Sequence, residues 1–324
     1  MNSSRQLAQL IENEVDRSNS YSLANFLMVR KESLQSAVQH QFKADLQSLY
    51  HAKVSEIDFI TKGEEAKSEA NTWVRSATKG GSRMILDSPP SPDTRAVLLN
   101  AVHFRAKWRT PFPRSATEKR TFYSRGVNAS QTDFVSHSQQ LLAHRQLQIN
   151  GQSVQALELP YANDSLSMVL LLPDRRTGLQ AILADTNRSR NDLLFALEAV
   201  REMNETRAIS LQVPKFKVEA NLSLQPALEA LGVTDIFNSN VADLSGMNGL
   251  RNLYVSLIKQ RGDVRFDEEG TMEGAAAAPA AAGNSTVTLP SVPSISFVAD
   301  HPFLFLIRDK GSGLVLFIGK LEGL

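Results

Sequence analysis

The sequence predicts a mixed α+β fold, rich in antiparallel strands, and three observations predict it. TRAVLLNAVHF at 94–104 is apolar nearly throughout, which suits a strand buried on both faces at the centre of a sheet. Residues 117–173 alternate between polar and apolar over several short runs. Turn signals at Asn150-Gly151 and Asn163-Asp164 break those runs into hairpins. Apolar residues recur at helical spacing in 32–50, through Leu34, Val38, Phe42, Leu46 and Leu49.

Taken in order, Leu7, Leu10, Ile11 and Val15 predict an amphipathic helix over 4–17. A strand at 21–29 precedes the helix at 32–50. Val54, Ile57, Phe59 and Ile60 predict a short strand. Residues 64–76 read as a charged helix that buries Ala66, Ala70, Trp73 and Val74. A Gly/Ser/Pro cluster at 79–93 connects it to the central strand. After the hairpins, helices are expected at 177–185 and 190–202. AISLQVPKFKVEA then reads as one long strand, and LQPALEALG as a short helix ended by Gly232. LYVSLIKQRGDVRF is another strand. FLFLIRD and LVLFIGKL, joined across Lys310–Gly313, form a last hairpin. There is no internal repeat and no clean boundary, so 1–324 reads as a single domain.

Composition narrows the function classes. The 324 residues are 42% hydrophobic, a globular composition. A net charge of +1 argues against a nucleic-acid binder that neutralises many phosphates. The absence of cysteine excludes disulfides and thiolate chemistry. No apolar run approaches the roughly 18–20 residues of a membrane span. The start, MNSSRQLAQLIENEVD, is polar and lacks the apolar core of an export signal. Yet Asn2, Asn128, Asn163, Asn187, Asn204, Asn221 and Asn284 all begin Asn-x-Ser/Thr acceptor sites. Their number favours a secreted, extracellular glycoprotein whose leader this chain does not carry.

Enzyme motifs are missing: no G-x-S-x-G elbow, no phosphate loop and no H-E-x-x-H. The six histidines are scattered, and none pairs with another at metal-ligand spacing. His103, in the apolar central strand, is expected to be a hydrogen-bonded core residue. Asp267, Glu268 and Glu269 read as a solvated strand end. Arg105, Lys107, Arg109, Arg114, Lys119 and Arg120 gather along one stretch, where a sulfated polysaccharide or an acidic partner could bind.

The most unusual stretch is 267–305. Two glutamates and Gly-Thr lead into an Ala/Gly run, then into a Ser/Thr/Pro-rich segment, before strand-like sequence resumes at Phe297. Pro279, Gly283, Pro290 and Pro293 exclude a regular helix. A loop this long inside a compact chain is usually functional or disordered.

With NTWVRSAT at 71–78, NAVHFRAKWRTPF at 100–112, LELPYANDSLSMVLLLP at 157–173, VPKFKVE at 213–219, LGVTDIF at 231–237, ADLSGM at 242–247, EEGT at 268–271 and ADHPFLFLIRD at 299–309, the chain resembles the serpin family over essentially its whole length. The resemblance implies three β-sheets, surrounding helices and an exposed reactive-centre loop, here 270–296. The family's opening helices have no counterpart before Arg5, so the chain reads as lacking them. It implies a serine-protease inhibitor, or secondarily a cysteine-protease inhibitor, and not an enzyme. It also implies a monomer that needs no cofactor, metal, nucleic acid or membrane. The target cleaves the loop and becomes acylated, and the loop then inserts as a new strand into a sheet that has unmade edge bonds waiting.

Residue by residue, the resemblance assigns Glu268, Glu269, Gly270 and Thr271 to the hinge. It assigns Ala275, Ala276, Ala277 and Ala278 to the run that enters the sheet. Trp108, Asn100 and Gln260 fall in the sheet-opening region, and the Gln260 amide replaces a frequent histidine. Asn284–Ser285 is the scissile bond by register, with Val287 and Thr288 as further candidates. No Lys or Arg stands between Arg265 and Arg308, which points to elastase- or chymotrypsin-like targets rather than trypsin-like ones. Met272, Glu273 and Pro279 depart from the family pattern. A carboxylate on the inserting face and a proline in a central strand favour the alternative of a non-inhibitory carrier, chaperone or storage protein.

Overall fold

The structure is a computed structural model. It describes residues 21–31, 38–80, 82–184, 196, 198–200, 202–203, 205–271 and 294–324. The expected helix at 4–17 lies outside them. So does most of the one at 190–202, of which residues 196 and 198–200 are helical.

In chain order the elements begin with β1 (Tyr21–Arg30), α1 (His40–Tyr50), β2 (Ala52–Ile57) and α2 (Gly63–Ala77). Next come β3 (Ala96–Phe104), β4 (Ala106–Lys107), β5 (Glu118–Ser124), β6 (Asn128–Ile149), β7 (Gln152–Pro160) and β8 (Leu166–Pro173). They continue with α3 (Gly178–Leu183), β9 (Thr206–Pro214), β10 (Phe216–Ser223), α4 (Gln225–Ala230), α5 (Ser245–Asn248) and β11 (Val255–Phe266). The last are β12 (Gly270–Thr271), β13 (Ile295–Val298), β14 (Phe303–Asp309) and β15 (Val315–Leu321). The loop expected at 270–296 therefore begins and ends inside strands.

The chain packs as two compact units, 1–104 with 219–264 and 105–218 with 265–324. In the first, a five-stranded sheet runs β10-β11-β3-β1-β2. β3 lies in its centre, antiparallel to β1 and parallel to β11. Central placement explains why TRAVLLNAVHF carries no polar alternation. One face of the sheet packs Val97, Leu99 and Ala101 against Ala66, Ala70 and Val74 of α2. Trp73 is only half-buried, its ring centroid 5.3 Å from that of Phe26.

In the second unit the hairpins assemble with β9, β13, β14 and β15 into one sheet of eight strands. The order is β13-β9-β6-β7-β8-β14-β15, with β5 on β6. A two-stranded ribbon, β12-β4, is the third sheet. AISLQVPKFKVEA is not one strand. It divides at Lys215 into β9 and β10, which belong to different sheets. The ladder of β9 with β6 runs to Pro214, and the Lys215 amide adds one more bond, to Asp133 O at 2.8 Å, before the chain enters β10.

Candidate functional site

The hinge is built within the second unit. Beyond β11 the chain reverses at Asp267, whose Oδ1 accepts from the amides of Glu269 (2.9 Å) and Gly270 (3.2 Å). A short carboxylate that caps the backbone two and three residues ahead is what suits Asp to such a turn. The Asp267 amide closes the turn by donating to Gly270 O at 3.1 Å.

Gly270 then pairs with Lys107, and Thr271 with Ala106, in antiparallel register. Gly270 sits at φ +150°. A Cβ there would stand 2.8 Å from Lys107 Cα and closer still to the carbonyl oxygen of Ala106. Only glycine fits so close an approach.

Trp108 covers this ribbon. Its ring stacks on Tyr161 (centroids 4.6 Å apart, planes at 9°), and its Nε1 donates to the carbonyl of Asp267 at 2.9 Å. Phe112 and Phe266 pack beside it, with ring centroids at 6.4 and 5.1 Å. Thr271 is buried, and its hydroxyl lies 2.8 Å from the Tyr161 hydroxyl. Burial pushes the Tyr161 phenol far up, against the smaller opposing effect of the Thr271 bond.

The three carboxylates are not a solvated strand end, which corrects the sequence expectation. Glu268 Oε1 accepts from Thr117 Oγ1 (2.9 Å) and Lys215 Nζ (3.1 Å). Glu269 faces Arg114 at 3.4 Å, and Asp267 faces Arg265 at 3.3 Å. Burial is the largest single influence on the Glu268 carboxyl and pushes it up. Its own backbone amide, Lys215 and Thr117 together outweigh burial, and hold the group below its ordinary value of 4.5.

Of the gathered basic residues, Arg109 pairs with Asp164, Arg114 with Glu269, Lys119 with Asp133 and Arg120 with Glu118. The stretch is therefore a surface of mixed sign rather than a basic patch.

Asn100 and Gln260 meet in the first unit, where they are register partners on β3 and β11. Gln260 Nε2 donates to Asn100 Oδ1 at 2.9 Å, Asn100 Nδ2 to Asn25 Oδ1 at 2.9 Å, and Asn25 Nδ2 to Tyr50 O at 3.1 Å. An amide at 260 thus bonds across the sheet, as its donor and acceptor capacity allows. The sheet has no gap at this point. β3 and β11 pair from Val255 to Asp263, so the expectation of unmade edge bonds is corrected: a strand entering here must first separate these two.

Met272, Glu273, Ala275, Ala276, Ala277, Ala278, Pro279, Asn284, Ser285, Val287 and Thr288 lie outside the described residues, as do Asn187 and Asn204. Asn128 is exposed and Asn163 half-buried. Asn221 is used by the fold: its Nδ2 donates to Ile85 O at 3.3 Å and its Oδ1 is buried. A glycan on that nitrogen would displace the contact, so Asn221 is a poor acceptor. The sequence reading missed Asn25, Thr117, Tyr161 and Lys215. Asn25 alone carried a signal, a polar residue in the middle of an apolar strand.

The family model for serpin (serine protease inhibitor) matches residues 1–323, and the chain belongs to this family. It is 37% identical over 292 residues to leukocyte elastase inhibitor of Bos taurus, covering 87% of this chain and 73% of that one. It is 30% identical over 325 residues to intracellular coagulation inhibitor 1 of Tachypleus tridentatus, covering 98% and 73%. A crystal structure of native protease nexin-1 with heparin shares the fold, with a TM-score of 0.78 at 24% identity over 99% of this chain and 81% of that one. The chain is a member of a protease-inhibitor family and not an enzyme.

Proposed function

We propose that this serpin is a single-use trap for a serine protease of elastase- or chymotrypsin-like specificity. The observation that carries the reading is the ribbon β12-β4. The first two residues of the loop already occupy strand positions, with Thr271 buried against Tyr161. The trap reading takes the loop beyond Thr271 as a strand that inserts between β3 and β11. That path requires β11 to leave β3, and cleavage of the loop frees the segment that replaces it.

The specificity rests on the absence of Lys and Arg between Arg265 and Arg308, and on the name of the bovine relative. The reactive bond is assigned to Asn284–Ser285, or to one near Val287 and Thr288. The test is incubation with pancreatic elastase, chymotrypsin and trypsin, followed by denaturing electrophoresis. The expected outcome is a detergent-resistant complex with elastase or chymotrypsin and none with trypsin.

A second reading, a non-inhibitory carrier, chaperone or storage protein, is favoured by Glu273 and Pro279. It requires clean loop cleavage with no complex. Export is a further proposal and rests on the acceptor sites, of which Asn128 is the exposed one among the described residues. A glycosidase-sensitive mass on the protein from its native source would support it. A sulfated polysaccharide would have to bind a surface where four of the six gathered cations already face carboxylates.

A further inference from the structure

His103 is buried at 4% exposure on β3, the central strand of the five-stranded sheet, and neither ring nitrogen has a hydrogen-bond partner among the described residues. This overturns the expected hydrogen-bonded core role. A buried imidazole left in this way is costly unless it does something else. Its register partner on β1 is Ser22, which carries no charge. Its register partner on β11 is Asp263, also buried, with Oδ2 3.9 Å from His103 Nδ1. Asp263 Oδ1 accepts from Ser82 Oγ at 3.2 Å, and Arg261 Nε donates to the same hydroxyl at 3.1 Å. Arg261 also pairs with Glu219 of β10.

Ser82 begins a segment that is fastened to the sheet elsewhere too. Asp87 faces Lys259 of β11 at 3.4 Å, and Asn221 of β10 donates to Ile85 O. Ile85 and Leu86 are buried, with Asn71 of α2 holding both amides. Against the sheet, α2 itself presents Ala66, Ala70 and Val74.

We propose that His103 and Asp263 form a proton-operated latch that holds β3 to β11, with Ser82 of the segment 82–87 bonded to the latch carboxylate. A proton on His103 turns the 3.9 Å contact into an imidazolium–carboxylate pair across the two strands. The Arg261 guanidinium, the cation beyond Ser82 that opposes this proton, is itself engaged by Glu219. Any strand that enters between β3 and β11 must pull imidazolium and carboxylate apart where water screens them little. Acid therefore tightens the closed sheet and slows its opening. The consequence for loop insertion rests on the trap reading above. The latch itself does not.

The test is hydrogen exchange of the amides in β3 and β11 at pH 7.5 and 5.5, corrected for intrinsic exchange, on the full chain and on His103→Gln and Asp263→Asn. In the unsubstituted protein, protection is expected to rise about tenfold on acidification, within the usual range for coupling between two sites. Neither variant is expected to show the rise, and Asp263→Asn keeps a group that can accept from Ser82 should His103→Gln fold poorly. No rise in the unsubstituted protein, or an equal rise in a folded variant, overturns the latch. The thermal stability of loop-nicked protein is read in parallel. If nicking brings no gain at either pH, the insertion reading fails, while the exchange result alone decides the latch.

Discussion

At the scale of single residues the hinge depends on close approach and on paired charge. Gly270→Ala must move the chain away from β4, because its Cβ would run into the Ala106 carbonyl. A strained backbone of this kind costs roughly 1–3 kcal/mol, to be read as a lowered urea midpoint. Tyr161→Phe leaves the Thr271 hydroxyl buried without its 2.8 Å partner, a loss of about 1–3 kcal/mol in the same assay. Glu268 sets a pH dependence whose sign follows from its lowered carboxyl. Its contribution is complete above its ordinary value of 4.5 and is lost as pH falls through the lower folded value. Acid titration of Glu268→Gln should lack that component of the loss.

At the scale of elements, β7, β8 and β14 share one buried ion pair. Arg308 Nη2 donates to Glu158 Oε1 at 2.8 Å, and its Nε donates to Ser167. Removing the guanidinium by Arg308→Met strands a carboxylate in the core and should cost about 3–5 kcal/mol. Chemical denaturation of Arg308→Met beside the double variant Arg308→Met/Glu158→Leu separates the stranded charge from the pair itself. The double variant is expected to recover most of the loss. The β11–β3 pairing belongs to this scale as well. It makes opening of the sheet a matter of exchanging one set of ladder bonds for another, rather than of filling an empty edge.

At the scale of the whole molecule the trap reading predicts a gain in thermal stability after cleavage within 272–293. The measurement is a melting curve before and after nicking by a protease that forms no complex. An unchanged melting temperature would count for the non-inhibitory reading. Much of the fold was legible in the chain for a simple reason: strand and helix periods are written in local apolar spacing. α2 and β3 follow their patterns closely. AISLQVPKFKVEA did not, because local alternation continues across Lys215 while the two halves pair in different sheets.

The sequence by itself determined the family, the helix and strand periods of elements such as α2 and β3, and the absence of cationic residues from the loop, since each is carried by contiguous residues. Only the tertiary structure decided that β3 and β11 are closed on one another, that Tyr161 receives Thr271, that Lys215 and Thr117 hold Glu268, and that His103 faces Asp263. Those contacts join residues about 50 to 160 positions apart, and no local pattern records a pairing made by the fold as a whole.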